Sequence, residues 1–244
     1  MKKFPRFSRQ IGKTLIDFPM LEEGDTYLIP IDTDYSHLSL VAFMQLKNHV
    51  INNSKPMNII YFYSTEKISN ETTEYLNKFC QKRKIEYSSR KILAENRESF
   101  KKILIDTAIE LNCNKIVLPD SLDFLDATIL SNMSFEGVFS GISVIENILI
   151  DDKKIKIIRP FCCITDDEIQ QLGQINNFPN NPTGVTFPED DNLKLSRKAI
   201  QHLLDGTSNI KMNFFNAQFN VQKKYIGIGE GESEAIPFTE DIEI

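Results

Sequence analysis

Helix-period and strand-period segments alternate along these 244 residues. The alternation predicts an α/β protein, an open parallel sheet with helices on both faces. Two runs, Ile59-Ile60-Tyr61-Phe62-Tyr63 and Ile116-Val117-Leu118, are continuously apolar, as strands buried on both faces of a parallel sheet are. A third observation concerns a connection: Tyr27-Leu28-Ile29-Pro30-Ile31 leads through Asp32-Thr33-Asp34-Tyr35-Ser36-His37 into an amphipathic segment beginning near Leu38. Strand, loop and helix in that order are how α/β proteins set phosphates on helix N-termini.

Strands are predicted at Tyr27–Ile31, Asn58–Tyr63, Ile85–Ser88, Lys115–Leu118 and Ile155–Ile158. Helices fall between them. Ser69–Gln81 opens on an N-cap serine with Thr72, Thr73 and Glu74 in its first turns, where short polar and acidic side chains satisfy free N–H groups. Glu98–Leu111 carries Phe100, Ile103, Leu104, Thr107, Ala108 and Leu111 at helical spacing. Ser121–Phe135 continues the alternation, and Thr165-Asp166-Asp167-Glu168 has the spacing of a capping box. The Asn-, Pro- and Gly-rich stretch Asn176–Asp191 reads as a long loop. Helices near Leu193–Leu204 and Asn209–Phe219 follow it.

Composition narrows the class. With 41% hydrophobic and 25% charged residues, the chain has enough apolar content for one large domain or two small ones. No run approaches the roughly 20 apolar residues that cross a bilayer, and the basic start has no apolar run after it of the secretory kind. No membrane association is expected, and the reading is cytoplasmic. The net charge of −6 is unevenly placed. Six acids and no base lie between Glu230 and Glu243, which leaves residues 1–229 balanced at 28 bases and 28 acids. The first fourteen residues hold Lys2, Lys3, Arg6, Arg9 and Lys13 and no acid. Such an arm suits RNA phosphates, or is simply a solvated terminal helix. The sequence divides accordingly into a basic N-terminal helical arm (1–24), an α/β domain (25–175), a proline-rich loop with C-terminal helices (176–225) and an acidic, flexible tail (226–244).

Several residues along the chain resemble one family. Arg9-Gln10-Ile11-Gly12-Lys13 through Asp17-Phe18-Pro19-Met20-Leu21-Glu22-Glu23-Gly24-Asp25 is similar to the phrase that the tRNA thiocytidine synthetases, of the PP-loop ATP-pyrophosphatase superfamily, place before their first strand. Leu111-Asn112-Cys113-Asn114-Lys115-Ile116-Val117-Leu118, Ile158-Arg159-Pro160, and Phe178-Pro179 with Pro182 resemble further segments in the same order. The resemblance covers roughly residues 7–220. It implies a PP-loop, HUP-type (adenine nucleotide α-hydrolase-like) fold, and a family chemistry of tRNA 2-thiolation using ATP, magnesium and an iron–sulfur cluster.

The chemistry-bearing positions depart from that pattern. The family's S-G-G-K-D-S loop corresponds to Asp32, Thr33, Asp34, Tyr35, Ser36 and His37. Both glycines, which let backbone N–H groups wrap a phosphate, have gained side chains, and the lysine has become tyrosine. Each added carboxylate would oppose a phosphate about 4 Å away by roughly 1–4 kcal/mol. The second loop, G-H-H-x-D-D in the family, corresponds to Pro119, Asp120, Ser121, Leu122, Asp123 and Phe124. Only Asp123 keeps its type. The cluster-ligand positions fall on Leu93, Asn96, Thr183 and Thr186, none of which can supply a thiolate.

The expectation is a catalytically degenerate member with a binding, regulatory or scaffold role and no cofactor. Its partner would be another protein or a second copy of itself, with tRNA binding weak. The alternative is a divergent, ATP-dependent enzyme of tRNA modification in which Asp32, Asp34 and Asp123 recruit metal in a new way. Asp32, Asp34, Asp120 and Asp123 either converge at the C-terminal edge of the sheet, as a carboxylate site for a divalent cation or a cationic ligand, or cap helices and face solvent. His37 either faces solvent in the first turn of its helix or serves as a base. Cys162-Cys163 either pack as buried thiols or act in redox chemistry. Phe214, Phe215 and Phe219 have the spacing of a packing face, or alternatively of a base-stacking platform.

Overall fold

A computed structural model describes residues 5–31, 57–63, 70–83, 87–91, 97–150, 153–177, 190–203 and 210–220. Two compact units emerge. One comprises residues 1–121 and 144–188, the other residues 122–143 and 189–244. The segment Leu122–Ser143 thus groups with the C-terminal helices.

Among the described residues, the first unit holds six strands: β1 (Tyr27–Ile31), β2 (Met57–Tyr63), β3 (Tyr87–Lys91), β4 (Lys115–Val117), β5 (Ile145–Ile150) and β6 (Lys153–Ile158). Their order across the sheet is β3-β2-β1-β4-β6-β5. Four of the five pairings are parallel, with Leu28 facing Asn58 on one side and Ile116 on the other. Among the described residues, the helices of this unit are α1 (Pro5–Asp17), α2 (Asn70–Arg83), α3 (Arg97–Glu110) and α5 (Asp166–Ile175).

Strand pleating decides which side chains meet α3. Leu28, Ile60, Ile116, Ile155 and Ile157 pack with Leu104, Ile105 and Ala108 in one buried cluster. The alternate residues Tyr27, Ile29, Val117 and Ile158 are also fully buried. The sheet is therefore covered on both faces, which is why its strands read as continuous apolar runs.

Three expectations need correction. The sheet is not wholly parallel, because β5 runs antiparallel to β6, with Ile148 opposite Ile155. The run Ile145–Ile150 carried no strand prediction because Glu146 and Asn147 interrupt it. Only two residues separate it from β6, a connection suited to antiparallel neighbours. The strand expected at Ile85–Ser88 is described over Tyr87–Lys91, with Ile85 and Glu86 outside the described residues. It pairs with β2 alone, so polar Ser88, Ser89 and Arg90 are tolerated at the sheet edge. The N-terminal segment is more than a solvated arm. Phe7, Ile11, Thr14 and Leu15 form a buried stripe on α1, and the Phe7 ring meets Phe161 edge-on at 6.0 Å between centroids. Arg9 and Lys13 remain on its exposed side.

The family-like phrase before β1 has a structural task. Gly24 adopts φ +92°, a backbone region that side chains disfavour, and it turns the chain so that Asp25 points inward. Asp25 accepts from the Glu22 N–H at 2.6 Å and from Asn114 Nδ2 at 3.1 Å. Its carboxylate also lies 2.6 Å from Lys115 Nζ, with both side chains 1% exposed. Lys115 donates in addition to the Met20 carbonyl at 2.6 Å. A buried ammonium and carboxylate are tolerable only with such mutual pairing and further hydrogen bonds.

The second unit holds α4 (Leu122–Ser131), a π-helical turn (Asn132–Glu136), α6 (Asp191–Leu203) and α7 (Ile210–Ala217), which ends in a 3-10 turn (Gln218–Asn220). Its core includes Leu122, Leu125, Ala127, Ile129, Ile200 and Phe215. Phe215 packs edge-on against Phe219 at 5.3 Å. This pair behaves as the packing-face reading expects.

Candidate functional site

In open α/β sheets, ligands approach the carboxyl ends of the strands. Here β1 ends at Ile31 and β4 at Val117. Asp32, Thr33, Asp34, Tyr35, Ser36 and His37 lie outside the described residues, as do Leu93, Asn96, Thr183 and Thr186. The loop after β4 is described, and its acidic residue is already engaged. Asp120 Oδ2 accepts from Arg97 Nη2 at 2.9 Å and from Arg159 Nε at 2.8 Å.

Chain direction explains the meeting. Arg97 opens α3 and Arg159 follows β6, the strand beside β4, so both reach the same sheet edge as Asp120. Arg159 is 2% exposed. Its other arm pairs with Glu146, which also takes Lys101. Burial raises the Asp120 pKa, but Arg97 and Arg159 outweigh it and hold the carboxyl below its ordinary value. Burial likewise opposes ionisation of Glu146, and Arg159 and Lys101 reverse it. The result is a five-member charge network of two acids and three bases. Asp120 Oδ2 thus serves two guanidiniums.

Asp123 belongs to the second unit. It is 2% exposed on the first turn of α4 and pairs with Lys211 of α7. One turn on, Asp126 is fully buried, and neither of its carboxyl oxygens has a hydrogen-bond partner among the described residues. Desolvation, reinforced by the Asp123 charge and opposed by Lys211, pushes its pKa up to about 8. Sequence reasoning passed over Asp126, although spacing of three from Asp123 places both on one helix face. Leu122 and Phe124 are buried as well, and Arg197 lies over the Phe124 ring at 5.7 Å. Ser121 is buried at the start of this stretch.

The described cysteines do not fit an iron–sulfur cluster, which needs thiolates converging on one point. Cys113 Sγ accepts from Asn58 Nδ2 at 3.2 Å within the core, and burial raises its pKa. Cys80 is buried on α2. Cys162 and Cys163 lie side by side with sulfurs 3.8 Å apart. Among the described residues, no group of three or more His, Cys, Asp or Glu side chains is placed to hold a metal ion.

Comparison with known proteins shows which fold the chain shares and what it is similar to. No family model matches the chain. Among solved structures, the U34-tRNA thiolase NcsA from Methanococcus maripaludis, described with its 4Fe-4S cluster, superposes with a TM-score of 0.67. That match covers 87% of this chain and 76% of the thiolase at 16% identity. The fold is the PP-loop type of α/β architecture, a mostly parallel sheet with helices around it.

In sequence, the chain is 23% identical over 218 residues to the tRNA-cytidine(32) 2-sulfurtransferase of Delftia acidovorans, covering 82% of this chain and 66% of that protein. It is 24% identical over 220 residues to the enzyme of the same name from Yersinia pestis, with the same coverage of each. The chain therefore spans just under two thirds of the length of these curated relatives. The resemblance to tRNA-thiolating enzymes of the PP-loop superfamily stands. Among the described residues, no helix is long and apolar enough to cross a membrane.

Proposed function

We propose that this chain is a PP-loop protein of the tRNA-thiolation group that has relinquished ATP-dependent thiolation and acts as a binding or regulatory protein. One observation carries the reading. The loop that relatives fill with two glycines and a lysine is Asp32-Thr33-Asp34-Tyr35-Ser36-His37 here, which offers a triphosphate neither backbone wrapping nor positive charge. The engagement of Asp120 by Arg97 and Arg159 supports it, since a carboxylate between two guanidiniums is poorly disposed to take magnesium. The partner is a protein, either an active relative or a second copy of the chain. Binding of tRNA is weak, because residues 1–229 carry equal numbers of acids and bases.

Calorimetric titration with Mg-ATP, with iron quantified after anaerobic purification, tests the reading. No saturable nucleotide binding and no stoichiometric iron are expected. Micromolar binding with pyrophosphate release, or stoichiometric iron, overturns it.

A second reading, a divergent tRNA-modifying enzyme, draws on retention of Asp123 at its family position. It requires a turnover that the double substitution Asp32→Asn with Asp123→Asn abolishes. Unchanged turnover in that variant would exclude it.

A further inference from the structure

Cys162 and Cys163 follow β6 in a tightly turned segment. The Cys162 N–H donates to the Arg159 carbonyl at 3.1 Å, and the Ile164 N–H to the Phe161 carbonyl at 2.8 Å. The Gln10 side-chain amide of α1 donates to the Cys163 carbonyl. The pair is therefore held in a fixed backbone frame. Its sulfurs stand 3.8 Å apart, Cys162 fully buried and Cys163 partly open to solvent. Thr14, on the buried stripe of α1, places its hydroxyl within reach of both the Gln10 carbonyl, at 3.1 Å, and the Cys163 sulfur.

We propose that Cys162 and Cys163 form a reactive vicinal dithiol that exchanges with small disulfides, Cys163 attacking and Cys162 resolving. The inference is independent of the reading given under Proposed function.

The two sulfurs occupy unlike surroundings, which assigns the roles. The charged groups around them are Lys13 and Asp17 of α1 beside Cys163, and Arg159 on the Cys162 side. The sulfur–sulfur contact, in which either thiol can donate, together with burial keeps Cys162 protonated well above the usual thiol range. The same contact favours the Cys163 thiolate. Burial and Asp17 oppose it, Thr14 and Lys13 assist it, and its pKa falls to about 7. The thiolate is the nucleophile, and Cys163, the sulfur partly open to solvent, is the one placed to supply it.

In the first step the Cys163 thiolate attacks one sulfur of the small disulfide. A bond forms between Cys163 Sγ and that sulfur, the small disulfide's own S–S bond breaks, and its other half leaves as a thiolate. In the second step Cys162 gives its proton to solvent and its sulfur attacks Cys163 Sγ. The mixed disulfide breaks and releases the second thiolate. Two protein thiols are oxidised by two electrons, and one disulfide is reduced to two thiols. Closing adjacent sulfurs to about 2.05 Å strains the short ring, so the product is readily reduced again.

Wild-type protein is first treated with iodoacetamide across a pH series and its peptides mapped by mass spectrometry. Cys163 is expected to alkylate with a midpoint near pH 7, roughly tenfold faster at neutral pH than Cys80 or Cys113. Labelling of Cys80 or Cys113 at the Cys163 rate overturns the proposal. Stoppered reaction with 4,4′-dithiodipyridine then follows exchange itself. Wild type is expected to release two thiopyridones per reagent consumed and to yield a Cys162–Cys163 bond. C162S should release one and keep the adduct on Cys163, and C163S should lose the fast phase. A fast phase surviving in C163S, or a persistent mixed disulfide in wild type, overturns it.

Discussion

Arg159 Nε lies 2.8 Å from Asp120 Oδ2, joining the segment after β6 to the loop after β4 through a side chain that is 2% exposed. The arginine that resembles the family's I-R-P is thus an internal tie. It holds Asp120 with one arm and Glu146 with the other, and it fixes the geometry of the sheet edge where ligands of such folds gather.

Replacing Arg159 by methionine keeps most of its volume and takes one cation from each of two acids. Arg97 and Lys101 remain to serve Asp120 and Glu146, so the loss is expected at about 3 kcal/mol, the lower end for breaking a buried pair. Urea unfolding should show a lower midpoint with an unchanged slope.

The same network predicts acid sensitivity. Arg97 and Arg159 hold Asp120, and Arg159 and Lys101 hold Glu146, below the ordinary values of 3.8 and 4.5. The unfolded chain therefore binds protons at these positions more readily than the folded one. Their contribution is fully present above the unfolded values and is lost as pH falls through the lower folded values. Melting temperature should drop on acidification below about pH 4, and Arg159→Met should blunt that drop.

Asp126 acts in the opposite sense. Its folded pKa is about 8 against an ordinary 3.8, so the folded state binds the extra proton between those values. Stability is expected to decline as pH rises through that window, by at most about 1.4 kcal/mol per pH unit. Asp126→Asn should flatten the curve of unfolding free energy between about pH 5 and pH 8. An unaltered slope in the variant would show that Asp126 is not the titrating group.

Thr165 caps α5. Its hydroxyl accepts from the Glu168 N–H at 3.3 Å while the Glu168 carboxylate accepts from the Thr165 N–H at 3.0 Å. Thr165→Ala removes one half of this exchange and should cost about 1 kcal/mol, read from thermal or urea unfolding.

Much of the architecture was legible because burial on both sheet faces writes itself into sequence. Tyr27–Ile31 and the capping box at Thr165 lie where the pattern put them. The edge strands were harder. A strand paired on one side, such as β3, is freed from the apolar pattern, and β5 mixes Glu146 and Asn147 into an apolar run. The site was legible only by residue type. That Asp120 meets Arg97 and Arg159 depends on three segments far apart in sequence, and no local spacing announces it. Unequal surroundings for Cys162 and Cys163 likewise arise from α1, through Thr14 and Lys13.

The clamp between Asp25 and Lys115 grips the rim where β1 and β4 begin, whereas Ile31 and Val117 close the same strands at the far rim. Five residues of β1 put roughly 16 Å between the two. Anchorage and the carboxyl ends of the strands consequently occupy opposite margins of one platform. Substitution along the distal margin is expected to leave the clamp, and the platform it anchors, untouched.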